Sequence, residues 1–166
     1  IHSHIEALQQ SEGNLRQLNQ DLAGSEAKYR SIVDHAPFGI FTTKGMTLVF
    51  SNRYNSLLAG LNSTEEKDPD AVRRAIHPED RDRVIAEFAQ AVVEGEPYET
   101  VFRFLHADGT IRKVLSRRIP IRDQSGQVVM YQGFNVDITA RDFMQTRLRR
   151  AERLATLGQV AAGIAH

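Results

Sequence analysis

YETVFRFLHADGTIRKVLSRRIPIRDQSGQVVMYQGFNVDIT, residues 98–139, is the stretch on which the fold turns. Tyr98–Leu105, Ile111–Ile121 and Val128–Val136 are long, rich in aromatic and β-branched side chains, and read as strands. Asp108-Gly109 separates the first from the second, and Gln124-Ser125-Gly126 the second from the third. Both are turn sequences, since glycine enters the left-handed backbone region without steric cost. Two consecutive hairpins of this kind make an antiparallel meander.

Working outward, a second strand pair precedes the meander. Ile40–Thr43 and Thr47–Phe50 flank a Lys44-Gly45 turn, and Asn52 or Asn55 is placed to cap a short helix carrying Leu57 and Leu58. Residues 61–70 are polar and turn-rich and read as a loop. His77-Pro78-Glu79-Asp80 is a helix start, with proline at the first helical position and acids at the positive end of the dipole. Val84, Ile85, Phe88, Ala91 and Val92 then form one apolar face, and Gly95 ends the helix. The order β-β, helices, β-β-β predicts an α+β domain: a five-stranded antiparallel sheet with helices on one face.

The flanks read as helices. Ile1, Leu8, Leu15, Leu22 and Tyr29 recur every seven residues, the period by which a helix buries a narrow stripe against a partner. At the other end, Thr139 with Asp142 fits a capping box launching a helix from the last strand. That helix carries Phe143, Met144, Leu148, Leu154, Leu157, Ala161 and Ile164. Its arginines, Arg147, Arg149, Arg150 and Arg153, read as a solvated face. The expected organisation is a signalling helix over 1–28, a globular domain over 29–139 and a second helix over 140–166, with homodimerisation through both helices.

The 21 basic and 21 acidic side chains cancel, so no bulk field draws the chain to nucleic acid or to a membrane surface. The sequence has no cysteine, which suits a reducing cytoplasm and removes thiolate chemistry. No apolar run approaches the ~20 residues of a membrane span. The chain starts at Ile1 and reads as a piece of a longer, cytoplasmic protein, whose parent can still be anchored in the inner membrane. Its histidines show no metal-ligand spacing, and no glycine-rich phosphate cradle is present.

Several of these segments resemble a PAS domain: Tyr29–Val33 leading to Ala36-Pro37-Phe38-Gly39-Ile40, His77–Arg81, Ala107-Asp108-Gly109-Thr110, and Asp137-Ile138-Thr139. The resemblance implies a sensory, dimerising module that holds any ligand between the sheet and its helices. It also implies that Asp137, Ile138 and Thr139 couple the domain to its output helix. Leu154–His166 is similar to the opening of a histidine kinase dimerisation helix, ending on the phosphoacceptor. This implies His166 as acceptor, a downstream kinase domain using ATP and Mg²⁺, and a response regulator as phosphoryl recipient.

For the ligand the sequence leaves alternatives open. His77 reads as a capping residue rather than a haem or metal ligand, and His106 as exposed. Covalent flavin chemistry needs a cysteine, which is missing. Arg103, Arg117 and Arg118 lie on core-forming strands, where an inward arginine would suit a carboxylate-bearing metabolite. A solvated sheet face, with Arg103 paired to Glu99, is the preferred reading. Phe41, Phe50, Phe102 and Phe104 are candidates to line a small pocket, occupied or dry. No cofactor is identified. The rivals to a kinase input are a ligand-free dimerisation scaffold and a PAS domain feeding another output.

Overall fold

The computed structural model describes residues 1–62, 65, 68 and 70–165. Half of the loop expected over 61–70, and His166 itself, lie outside the described residues. The chain divides into two compact units, Ile1–Ala36 and Pro37–His166.

The first unit is one helix, α1 (His2–Asp34), which runs through residue 28 without a break. No residue of α1 is buried, and Leu8, Leu15, Leu18, Leu22 and Tyr29 are all more than half exposed. Rising about 1.5 Å per residue, such a helix presents its apolar stripe along most of its length. His35 ends it, its backbone N–H donating to Ser31 O.

The second unit is a sheet with helices on its inner face. Its elements are β1 (Gly39–Lys44), β2 (Thr47–Ser51), α2 (Arg53–Leu58), α3 (Ala71–Ala75), α4 (Pro78–Glu94), β3 (Tyr98–Leu105), β4 (Ile111–Arg122), β5 (Val128–Asp137) and α5 (Thr139–Ile164). The five strands lie in the order β2-β1-β5-β4-β3, every neighbouring pair antiparallel. The last strand therefore occupies the centre. The hairpin turns form as their glycines dictate, with φ of 85° at both Gly109 and Gly126.

Asn52 caps α2: its Oδ1 accepts from Asn55 N at 3.0 Å. The same oxygen accepts from Ile40 N at 2.9 Å, and Asn52 Nδ2 donates to Phe38 O at 3.2 Å, tying the helix start to β1. Helix α4 starts as expected. His77 Nδ1 accepts from Glu79 N at 3.3 Å, Pro78 follows, and Gly95 closes the helix at φ 70°. Its start is pinned to the edge strand β3, where His77 N donates to Arg103 O at 2.7 Å. An isolated bridge pairs Ile76 with Phe104, so part of that sheet edge is covered.

The core joins Leu58, Ala59, Ala75, Ile76, Val84, Phe102, Phe104 and Val114. Phe104 is fully buried, edge-on to Phe102 with ring centroids 4.9 Å apart. Tyr131 extends this layer, and its buried hydroxyl donates to Ala91 O at 2.9 Å. Gly133 leaves room for the Phe41 ring, since a Cβ there would stand 2.1 Å from Phe41 Cζ.

The start of α5 differs from the capping box expected of Thr139 and Asp142. Ile138 holds the N-cap position without a side-chain bond, and Asp142 Oδ1 instead takes Lys113 Nζ at 2.7 Å. The acid that caps this end is Asp137. Its Oδ1 accepts from Thr139 N at 2.9 Å and from Thr139 Oγ1 at 2.5 Å. One carboxylate closer to the strand outcompetes the one a turn further on, because the helix launches with no intervening loop.

Candidate functional site

Between the sheet and α4 lies a cavity of about 70 Å³. Its described walls come from β1, β2 and the turn between them (Phe41, Thr43, Met46, Leu48), α3 and its ends (Val72, Arg73, Ile76), α4 (Val84, Ile85, Phe88) and the meander (Phe102, Arg118, Asn135). Strand alternation selects these residues. Phe102 opposes Val114 and Ser116 opposes Asn135 in the ladder, so the even positions of β4 and the odd positions of β5 face inward.

This places Arg118 inside. Its guanidinium carbon lies 3.8 Å from the Phe88 ring centroid and 5.0 Å from that of Phe41. Its Nε is buried without a hydrogen-bond partner among the described residues. Burial pulls the pKa down to about 10, which leaves the group charged near neutral pH. Three further buried atoms of the inner face have no hydrogen-bond partner among the described residues: Thr43 Oγ1, Ser116 Oγ and Asn135 Oδ1. The Asn135 amide nitrogen is satisfied, donating to Asn55 Oδ1 at 2.8 Å. Gly39 makes room for that bond, since a Cβ there would stand 2.5 Å from Asn55 Oδ1.

Arg103 and Arg117 face away from the cavity. Arg103 is gripped from α4: its Nε and backbone N both donate to Asp80 Oδ2, at 2.9 and 2.8 Å, and its Nη2 to Glu79 Oε2 at 2.8 Å. The partners are these two acids of the helix start, not Glu99. Arg103 holds the Asp80 carboxyl below the usual carboxylate range, and its own pKa rises in return. Arg117 is exposed on the outer face. Among the phenylalanines, Phe41 and Phe102 line the cavity, Phe104 lies buried in the core beside it, and Phe50 is 44% exposed.

At the exit, β4, β5 and α5 meet in a small polar cluster. Thr139 Oγ1, already donating to Asp137, accepts from Lys113 N at 2.9 Å, and Ile138 N donates to Lys113 O at 2.9 Å. Asp137 Oδ2 also lies 3.6 Å from Arg112 Nη1. The first turn of α5 is thereby bolted to the neighbouring strand.

The family model of the PAS fold matches residues 51–135, half of the chain and most of the sheet and its helices. The chain belongs to the PAS fold family. The solved PAS domain of a protein from Colwellia psychrerythraea is 27% identical and superposes with a TM-score of 0.57, covering 72% of this chain and 98% of that one. The peroxide stress-activated histidine kinase mak1 of Schizosaccharomyces pombe is 25% identical over 75% of the chain. A methyl sulfide methyltransferase-associated sensor of Methanosarcina acetivorans is 35% identical over 49% of it. The chain spans only 8% and 9% of the lengths of these two relatives.

The PAS cavity is small. Pockets for cofactor-sized ligands run to roughly 300 Å³ and more, against about 70 Å³ here. Among the described residues no group of three His, Cys, Asp or Glu is gathered as for a metal. No described helix is long and apolar enough to cross a membrane.

Proposed function

We propose that this PAS domain is the input-and-dimerisation fragment of a sensor histidine kinase, passing its state through α5 to the phosphoacceptor His166. The observation that carries the proposal is the junction. Helix α5 leaves the central strand without a loop, is hydrogen-bonded to Asp137 at the end of β5 and through Thr139 Oγ1 to Lys113 of β4, and continues unbroken from Thr139 to Ile164. A shift of β5 against β4 has no slack in which to dissipate and becomes a tilt or rotation of the helix.

Pairing follows from the exposed apolar stripes. Leu8, Leu15 and Leu22 on α1, and Leu154, Leu157 and Ile164 on α5, are each more than half exposed and suit a second copy of the chain. The run Leu154–His166, and the kinase among the relatives, support the output assigned.

In the whole protein a downstream nucleotide-binding domain would supply ATP with Mg²⁺. An imidazole nitrogen of His166 would bond to the γ-phosphorus as the bond to the ADP oxygen breaks, and the phosphoryl group would then pass to an aspartate of a response regulator. This chain contributes acceptor and geometry, and alone it should not turn over. The test is His166→Gln in the full-length protein. Acid-labile labelling from ATP should disappear, and undiminished labelling would sink the proposal.

A further inference from the structure

The described walls of the PAS cavity contain two arginines, Arg73 and Arg118, and no acid. Arg73 is half exposed and leans 4.0 Å from Asp70. Arg118 is different: no carboxylate among the described residues pairs with it, and the one titratable group that acts on it is the Tyr98 hydroxyl, itself donating to Glu87 at 2.8 Å. Arg118 is half-buried with its Nε wholly enclosed, and a cation desolvated in this way without a counter-ion carries a free-energy cost that an anion from outside the chain would offset. The Phe88 ring covers a face of the guanidinium, while its N–H groups radiate in the plane, where a planar two-oxygen group fits.

We propose that the cavity binds a small carboxylate, with Arg118 as its counter-ion, Thr43 Oγ1 as a second donor and Asn135 Oδ1 receiving a hydroxyl or amine of the ligand. This deepens the sensory reading of the PAS domain and rests on it. Size sets the class further. With about 10–15 Å³ for each water-sized body, a space of 70 Å³ admits roughly five to seven non-hydrogen atoms. Short hydroxy- or amino-carboxylates have the required charge, size and second polar group.

The 166-residue chain should be titrated with lactate and glycolate, and with the neutral amide lactamide, following the melting temperature and the heat of binding. The carboxylates should stabilise the chain and lactamide should not. Arg118→Met should abolish the response while leaving the unliganded chain at least as stable, because an unpaired buried charge has gone. Thr43→Val keeps the arginine and should weaken lactate binding about tenfold, the worth of one hydrogen bond to a charged group. Silence from every carboxylate, equal binding of lactamide, or undiminished lactate binding by Arg118→Met would each overturn the assignment. None of these results touches the labelling of His166, so ligand class and kinase relay fail separately.

Discussion

Replacing Asp137 with Ala should loosen the launch of α5, and a double-mutant cycle with Thr139→Val should show that the two residues act as one. Asp137 Oδ1 holds two hydrogen bonds at the helix start, and its side chain is 24% exposed. Hydrogen bonds to charged groups contribute about 1.5–3 kcal/mol each, and loss of a helix cap about 0.5–2. With partial exposure discounting the first figure, Asp137→Ala should cost about 2 kcal/mol. Thr139→Val breaks the Asp137 link and strands the Lys113 N–H, for about 1–2 kcal/mol. Because the Asp137–Thr139 bond is counted in both single variants, the double variant should fall short of their sum by about 1 kcal/mol. Urea unfolding of the four proteins measures the cycle. Amide exchange at Asp142, whose N–H bonds to Ile138 O at 2.8 Å, reports the junction directly and should speed up in both single variants. Additivity within about 0.3 kcal/mol, with unchanged exchange at Asp142, would refute the claim that this cluster fixes the helix to the sheet.

Three other perturbations probe the frame. Phe104→Ala, at a fully buried site, should lower stability by about 3–5 kcal/mol in denaturant unfolding; a loss below 1 kcal/mol would contradict its place in the core. Gly133→Ala should cost about 1–3 kcal/mol and displace the Phe41 ring, visible as altered ring-proton shifts, because the added methyl lands on that ring. Asp80, whose folded pKa lies below the ordinary 3.8, contributes stability above that value that fades as pH falls through the folded pKa. Thermal melts of Asp80→Asn should be lower near neutral pH and lose that part of the acid decline; an unaltered decline would show that the Arg103 clamp does not carry it.

The hairpins and α4 were legible because local chemistry agrees with the fold. Asp108-Gly109 and Gln124-Ser125-Gly126 sit where the backbone must turn, and His77-Pro78 and Gly95 bracket the helix. Helix α3 carries no such signal, since a five-residue helix is too short to show a period. Strand β4 actively misleads. Its odd face holds Ile111, Leu115, Ile119 and Ile121, and alternation alone would bury it, yet Ile111, Ile119 and Ile121 are exposed and Ser116 and Arg118 face inward. Register against Phe102 and Phe104 decides the matter, and register is a long-range property. A strand that turns its more polar side to the core is a conflict between levels, and such conflicts mark sites kept for function. At the junction Asp137 was recognisable as an acid in the right place, but the choice between Asp137 and Asp142 depended on Lys113, far away in sequence.

The central position of β5 also bears on how the protein is made. Until Val128–Asp137 leaves the ribosome, the β1–β2 and β3–β4 hairpins share no strand and the sheet stands in two halves, each with an open edge. Closure waits for the pairing of Gly39–Thr43 with Tyr131–Asn135, contacts of long sequence separation that form late and slowly. The next residues to emerge are those of α5. Synthesis thus completes the sheet and begins the helix in one step, and no nascent chain displays the finished sheet without the strand from which the helix is hung.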